Sequence, residues 1–423
     1  MENFLHKIKL MIQDKSLRNK ILFVLFALIL FRLLANIPIP AAAGLRLDEF
    51  LSNNQALGFL NLLTGGGLSA ISIVMLGVGP YITASIIMQL LTMMSEKLKA
   101  LYHEEGEAGK KKFAQYSRLL TVPLAFVQGY GLLVFLEKQG AIEGLFGFDL
   151  LTNVIIIAAG SILLMWIGEL ISEFGVGNGV SLIIFAGIVA RLPAIISQLV
   201  FTFDVSQIPT YLGFLLAAVL IVAGVVTVTE AERPIPITYA KRVRGMKVYG
   251  GVSTYLPLRV NQAGVIPIIF ALSILIFPQV LVTFLSKVDN STIAAISGAI
   301  ERFITNPVFS SSFYFILVFA FTYFYTAVTF DPEAISKNLQ QSGAFIPGVR
   351  PGRSTSEYIA KILTRITFVG ATFLGFIAVL PLVMQSLTQV GAFAIGGTAL
   401  LIAVSVVLDL VKKVDAQISM REY

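Results

Sequence analysis

Ten apolar runs recur along the chain, near 21–39, 71–94, 119–136, 150–168, 174–198, 207–229, 262–285, 311–330, 366–384 and 392–411. Each approaches the roughly 20 residues that a helix needs to cross ~30 Å of hydrocarbon. The pattern predicts an all-α polytopic membrane protein with ten transmembrane helices. The basic residues inside the runs, Arg32 and Arg191, fall toward an end of theirs. Two polar stretches between runs are long, about 230–261 and 331–365, and a third covers 95–118.

One segment breaks the helical pattern. From Leu57 to Leu76 the chain is apolar but interrupted by Gly65, Gly66 and Gly67; Gly77, Gly79 and Pro80 follow before a clean helical run from Tyr81 to Met94. Glycine clusters and Gly-x-Gly-Pro break helices, so the first piece is predicted to be a half-helix too short to span. Irregular backbone at membrane depth persists only when buried in protein or lining an aqueous cavity. The residues leave two readings open: a static re-entrant packing element, and a movable element beside a cavity.

Charge then orients the bundle. Lys and Arg outside the runs concentrate in alternate segments: the set that begins with the N-terminus carries 25, and the other set carries 5 when Arg191 is counted with it. Basic-rich segments stay in the cytoplasm, which places both termini there, as an even number of spans requires. The spans divide into five plus five: an N-terminal half, 21–203, and a C-terminal half, 204–411, flanked by cytoplasmic segments 1–20 and 412–423. Because five is odd, a structural repeat between the halves is inverted. The length of the basic loops suggests docking surfaces; topogenic charge accounts for their sign alone.

Composition supports lipid as the solvent. Of the 423 residues 56% are hydrophobic and 13% charged, against about 25% charged in soluble domains. The first twenty residues are polar and basic, and no small-residue cleavage site follows Ile21 to Phe31, so the first run is expected to be a retained span. The chain has no cysteine, which excludes disulfides and cysteine-ligated metal. His6 and His103 pair with nothing by spacing, and neither a metal nor a cofactor is expected.

The missing chemistry narrows function further. The central thirds of the ten runs contain no Asp, Glu, Lys or His, groups on which ion-coupled transport depends. A secondary transporter is therefore disfavoured. The glycine triplet lacks the Gly-Lys-Ser/Thr of a phosphate loop, and Gly175-Val-Gly177-Asn-Gly179 lacks a dinucleotide fingerprint's spacing and preceding strand. Asn290-Ser-Thr292 fits a glycosylation acceptor, a motif common by chance. No enzyme emerges. An aliphatic, glycine-rich interior remains. A hydrophobic constriction gates by dewetting and suits a polypeptide of any sequence better than a metabolite. A tightly packed helix core, as in a scaffold or insertase without a pore, has the same composition.

Several stretches carry a specific resemblance. Leu76-Gly-Val-Gly-Pro-Tyr-Ile-Thr-Ala-Ser-Ile-Ile-Met-Gln-Leu-Leu91, Glu105-Gly-Glu-Ala-Gly-Lys-Lys-Lys112, Gln115-Tyr-Ser-Arg118 and Gly177-Asn-Gly-Val-Ser-Leu-Ile-Ile-Phe-Ala-Gly187 occur in order. Tyr239-Ala-Lys-Arg242, Tyr249-Gly-Gly, Ser253-Thr-Tyr-Leu-Pro-Leu258, Asn261-Gln-Ala-Gly-Val-Ile-Pro267, Phe345-Ile-Pro-Gly-Val-Arg-Pro-Gly352 and Gly396-Gly-Thr-Ala-Leu-Leu-Ile402 follow. From about Arg18 to Tyr423 the chain resembles the bacterial SecY family, the channel subunits of the Sec protein translocase.

The resemblance implies two inverted five-helix halves around a central hourglass pore. It assigns a pore ring to Ile82, Ile86, Val180, Ile184, Ile269 and Ile402. The i,i+4 spacing of Ile82/Ile86 and of Val180/Ile184 puts each pair on one helical face. Val180 is one carbon smaller than the isoleucine usual in the family. The half-helix resembles the plug that blocks the outer funnel at rest: Leu57, Phe59, Leu60, Leu63, Gly65, Gly66, Gly67, Leu68 and Ile71. Gln89, Gln128 and Asn261 map to the lateral gate, formed by spans two and three against seven and eight. A buried interhelical hydrogen bond there is expected to close the gate reversibly, since such bonds contribute well under ~2 kcal/mol in membranes.

The same resemblance assigns docking of the SecA motor ATPase, or of the ribosome, to Lys241, Arg242, Arg244 and Lys247 in one loop and to Arg350 and Arg353 in another. Arginine suits both carboxylate and phosphate partners. Pro234 and Met246 stand where many relatives carry arginine. The implied partners are SecE and SecG, SecA, the ribosome, the signal-recognition-particle receptor, SecDF and YidC, with an unfolded polypeptide as substrate, membrane lipid as surroundings, and no DNA. The implied location is the bacterial plasma membrane.

Overall fold

A computed structural model of the chain describes residues 14–40, 61, 64, 66–103, 105–138, 142, 147–201, 208–240, 242–244, 247–249, 253–272, 274–275, 295, 297–300, 302, 306–388 and 391–419. Of the expected site residues, Leu57, Phe59, Leu60, Leu63, Gly65 and Lys241 lie outside this set, as does Met246.

All ten apolar runs carry helix among the described residues. In chain order the helices are α1 (Lys15–Leu34), α2 (Gly79–Met94), α3 (Glu96–His103), α4 (Gly106–Lys138), α5 (Phe148–Phe174), α6 (Gly179–Phe201) and α7 (Ile208–Glu230). They continue with α8 (266–272), α9 (Pro307–Thr329), α10 (Pro332–Gln341), α11 (Arg353–Thr388) and α12 (Gly391–Ser419). Gly106–Glu137, Phe148–Phe174, Val308–Gln341 and Arg353–Leu380 are each long and apolar enough to cross a membrane by themselves. The fold is an all-α polytopic membrane bundle.

Local chemistry sets several boundaries. The Asp14 carboxylate caps α1 by accepting from the Ser16 and Leu17 amides at 2.9 and 3.5 Å. Asn306 and Asp331 cap α9 and α10 in the same way, each followed by a proline in the first turn, where the missing N–H costs nothing. Pro80 likewise opens α2. Two helices begin well before the apolar run they carry: α4 starts at Gly106 and α11 at Arg353. Polar, helix-compatible residues extend them out of the hydrocarbon.

Helix contacts form two groups. In one, α4 packs on α2 and α5, α5 on α6, and α1 on α5 and α6; in the other, α9 packs on α11, and α12 on α11 and α7. Described contacts between the groups join α12 to α6 and α9 to α2. Phe315 and Phe376 meet edge to face at 5.2 Å between α9 and α11, where Gly375 leaves room for the Phe315 ring.

The long polar stretches expected as loops contain a folded layer. Strands β1 (Glu232–Tyr239), β4 (Ser253–Arg259) and β5 (Ala344–Phe345) form an antiparallel sheet in the order β4-β1-β5, and β2 (Arg242–Arg244) pairs with β3 (Lys247–Tyr249). Among the described residues β5 pairs only with Thr238 and Tyr239. Pro234 and Pro236 therefore sit where the central strand has one free edge and lose no ladder bond. Ile235, Leu258, Ile346 and Ile359 are buried together beneath this layer, with Ile335 and Leu339 of α10 packed against them.

Candidate functional site: an apolar collar and its stopper

The six ring residues come from four helices: Ile82 and Ile86 from α2, Val180 and Ile184 from α6, Ile269 from α8, and Ile402 from α12. Five of them are buried in one continuous hydrophobic cluster, Ile184 with 2% of its surface exposed, and Val180 packs against that cluster half-buried. The cluster's buried members are all apolar apart from the Tyr314 hydroxyl, which has no hydrogen-bond partner. A wall of this kind offers water almost nothing to bond and resists ions by dewetting.

Val74 and Val78 belong to the same cluster and are fully buried. With Ile82 and Ile86 they make a stripe at four-residue spacing, visible in the sequence once the Gly-Pro break is read as an approach to the helix rather than as its boundary. α2 has 16 residues, about 24 Å of helix.

The approach segment is not the continuous half-helix expected through Ile71. Asn61 is helical, but the described residues from Gly66 to Val78 form successive turns around one bridging residue, Ser72. Backbone pairing is the reason. Ile39 N–H donates to the Ile71 carbonyl and Ile73 N–H to the Ile37 carbonyl, both at 2.9 Å, making an isolated antiparallel bridge at Pro38 and Ser72. This diverts the chain at Ile71, whose φ of 44° is the sole positive value on a non-glycine residue among those described.

On the other side of the bridge, the described residues Asn61, Thr64 and 66–72 bond among themselves. Gly66 N–H donates to Asn61 O at 2.8 Å, Ser69 N–H to Asn61 Oδ1 at 3.1 Å, and Ser72 N–H to Gly67 O at 2.8 Å. Leu68 and Ile71 are buried in a second cluster with Leu133, Leu136 and Ile157. Asn61 Nδ2 and Ser72 Oγ are buried without partners, a cost of about 1–3 kcal/mol each.

The gate residues are dispersed. Gln128 Nε2 donates to Thr83 Oγ1 at 3.4 Å, joining α4 to α2. Asn261 is buried with Oδ1 unpartnered, and the buried Gln89 Oε1 also lacks a partner. The expected bond between the two sides of the gate is thus absent from the described Gln128 and Asn261 contacts. Thr83, which the sequence reading passed over, takes the Gln128 amide instead.

Arg350 is exposed beside the sheet layer, between Gly348 and Gly352 at φ 80° and 97°. Its carbonyl accepts from Thr355 Oγ1 at 2.9 Å, and Ser336 Oγ donates to the Gly352 carbonyl at 2.7 Å. The turn is thereby held against α10 and α11. Arg353 is 92% exposed and pairs with Glu357 at 3.0 Å. Arg242, Arg244 and Lys247 lie on the β2–β3 hairpin, with Arg244 opposite Lys247 in register. The described residues hold no cluster of His, Cys, Asp and Glu able to bind a metal.

The SecY family model matches residues 72–411. The chain belongs to the SecY family. Protein translocase subunit SecY from Thermotoga maritima is 41% identical, aligned over 96% of this chain and 94% of its own length. The protein of the same name from Halalkalibacterium halodurans is 42% identical over 96% of each. Among solved structures, one described as "The structure of a protein conducting channel" matches with a TM-score of 0.68 at 19% identity, covering 97% of this chain and 94% of that one. "Sec61 in the Canine ribosome-channel complex from the endoplasmic reticulum" matches with a TM-score of 0.63 at 18% identity, covering 97% and 94%. The fold is therefore that of SecY and Sec61 channels.

Proposed function

We propose that the chain is the central subunit of a protein translocase, passing unfolded polypeptides across the plasma membrane and releasing transmembrane segments sideways into lipid. Ile82, Ile86, Val180, Ile184, Ile269 and Ile402 act as the collar around the passing chain. The segment from about Leu57 to Ile71 acts as the plug. Clients leave between α2 and α4 on one side and α8 and α9 on the other, past Gln89, Gln128 and Asn261. The channel is passive. SecA or the ribosome docks at the basic loops around Lys241 to Lys247 and at Arg350 and Arg353, and supplies the energy together with the proton-motive force. SecE, SecG, the signal-recognition-particle receptor, SecDF and YidC are its expected associates. Two inverted halves hinge around the pore, and both termini face the cytoplasm.

One observation carries this reading: four helices deliver all six collar positions to a single apolar cluster that also receives the approach segment. A secondary transporter has no comparable support, because the span centres hold none of the groups ion coupling requires.

The cysteine-free sequence makes the test direct. Ile82→Cys or Ile184→Cys is paired with a cysteine in a stalled secretory precursor. Disulfides at the collar positions are expected. Disulfides arising solely at a lipid-facing control such as Leu216→Cys, 65% exposed on α7, would overturn the channel reading.

A further inference from the structure

α5 contributes no collar residue, yet it touches the chain at the base of both collar-bearing helices of its group. At its middle, a Cβ on Gly160 would overlap the Ile73 carbonyl oxygen and lie 2.8 Å from its carbon. The next residue, Ser161, is 1% exposed, and its hydroxyl donates to the Gly77 carbonyl at 2.8 Å. Ile73 and Gly77 bracket Val74 and precede Ile82 by a few residues, so this contact fixes the height and rotation at which α2 enters the collar.

Toward its C-terminal end α5 does the same to α6. A Cβ on Gly168 would lie 3.2 Å from Val180 Cγ2 and 3.4 Å from Val180 N. A Cβ on Gly179 would in turn lie 2.7 Å from the Gly168 carbonyl carbon. Gly179 N–H donates to Ser172 Oγ at 2.9 Å, and that hydroxyl donates to Gly168 O at 3.0 Å. Backbones approach this closely only at small residues. Here each approach is completed by a serine hydroxyl bonded to one of the partner's backbone groups.

We infer that α5 is a strut that spaces the collar, with Gly160 and Ser161 as positioning residues for Ile82 and with Gly168 and Ser172 as positioning residues for Val180 and Ile184. The inference rests on the collar reading above. It adds that the closed aperture is set from behind by a helix that never touches the client. The strut has two independent ends, so each governs its own helix. A residue of merely structural importance would disturb both collar helices alike.

The test measures how fast a small, membrane-impermeant thiol reagent labels Ile82→Cys and Ile184→Cys in the resting full-length protein in native membrane vesicles, normalised to the amount inserted. Ser161→Ala is expected to speed labelling at Ile82→Cys about threefold to twentyfold, the change in opening equilibrium that one interhelical membrane hydrogen bond supports, and to leave Ile184→Cys within about twofold. Gly168→Ala, which presses on Val180, is expected to do the reverse. Gly213→Ala on α7, where a Cβ meets nothing within 4 Å, is expected to change neither rate.

Equal effects at both cysteines, or none, overturn the strut. Should Gly168→Ala fail to accumulate, Ser161→Ala decides alone, and an unchanged Ile82→Cys rate refutes the proposal. Client disulfides at the same two cysteines separate the levels. If they form while labelling ignores Ser161→Ala, the strut fails and the collar stands. If they do not form, the collar reading fails and the strut falls with it.

Discussion

Arg350 is presented by a turn in which two glycines adopt left-handed backbone and two hydroxyls tie carbonyls down, while the guanidinium stays exposed. A rigid platform with a free planar cation is what bidentate recognition of a carboxylate or phosphate requires. Arg350→Glu is expected to abolish SecA-driven export in membrane vesicles while leaving the amount of assembled channel unchanged. Arg350→Lys keeps the charge but not the fork, so it is expected to retain export at an intermediate level. Normal export by the Glu variant would remove Arg350 from the docking surface. At this scale the family motifs picked out residues that meet in one apolar cluster and the turn that presents Arg350, because most of these positions lie in distinctive stretches of sequence. The Gln128–Thr83 pairing was not legible, since Thr83 also back-bonds to the Gly79 carbonyl at 3.0 Å and reads as an ordinary helix threonine.

Among elements, hydropathy marked ten runs that all carry helix among the described residues, but it stopped at the edge of each apolar run. It could not see that α4 continues back to Gly106, because exposed charges there, such as the Glu107–Lys110 pair at 3.2 Å, stabilise a helix without adding apolarity. Nor could it see β1, whose alternation of buried Ile235 and Ile237 with exposed Pro234 and Pro236 looks like a broken strand until the short β5 leaves an edge free. The buried core under that sheet, to which α11 contributes Ile359, implies a cooperative unit of the sheet and the start of α11. Leu258→Ala, at a fully buried position of that core, is expected to cost about 2–5 kcal/mol. Hydrogen exchange should read this as faster amide exchange across β1 and β4 and at the start of α11, which supplies Ile359, with α5 unchanged. Equal loosening of α5 would mean that the layer and the bundle unfold as one.

For the whole molecule, the proposed plug has to part from the proposed collar at some point along the chain. The bridge at Pro38 and Ser72 ties the chain to the end of α1, and the Gly160–Ser161 contact ties the next residues to α5. Residues beyond Ile71 are therefore anchored twice. The described residues Asn61, Thr64 and 66–70 bond to one another and carry a buried, unpartnered donor at Asn61, so the proposed plug is expected to leave as a knot. The proposed plug is therefore expected to pivot at Ile71 and not within the collar positions. Pro38 and Ser72 are a non-hydrogen-bonded antiparallel pair, for which Cα atoms lie about 4.5 Å apart, within disulfide reach. Pro38→Cys with Ser72→Cys is expected to oxidise readily and to leave export within about twofold of the reduced protein, because the bond locks what does not move. Arg32→Cys with Ser69→Cys, two positions that flank Gly66, bridged by a short bis-maleimide, is expected to stop export by pinning the knot to α1. If the first lock stops export as completely as the second, the moving segment extends past Ile71, and the collar approach itself must shift when the channel opens.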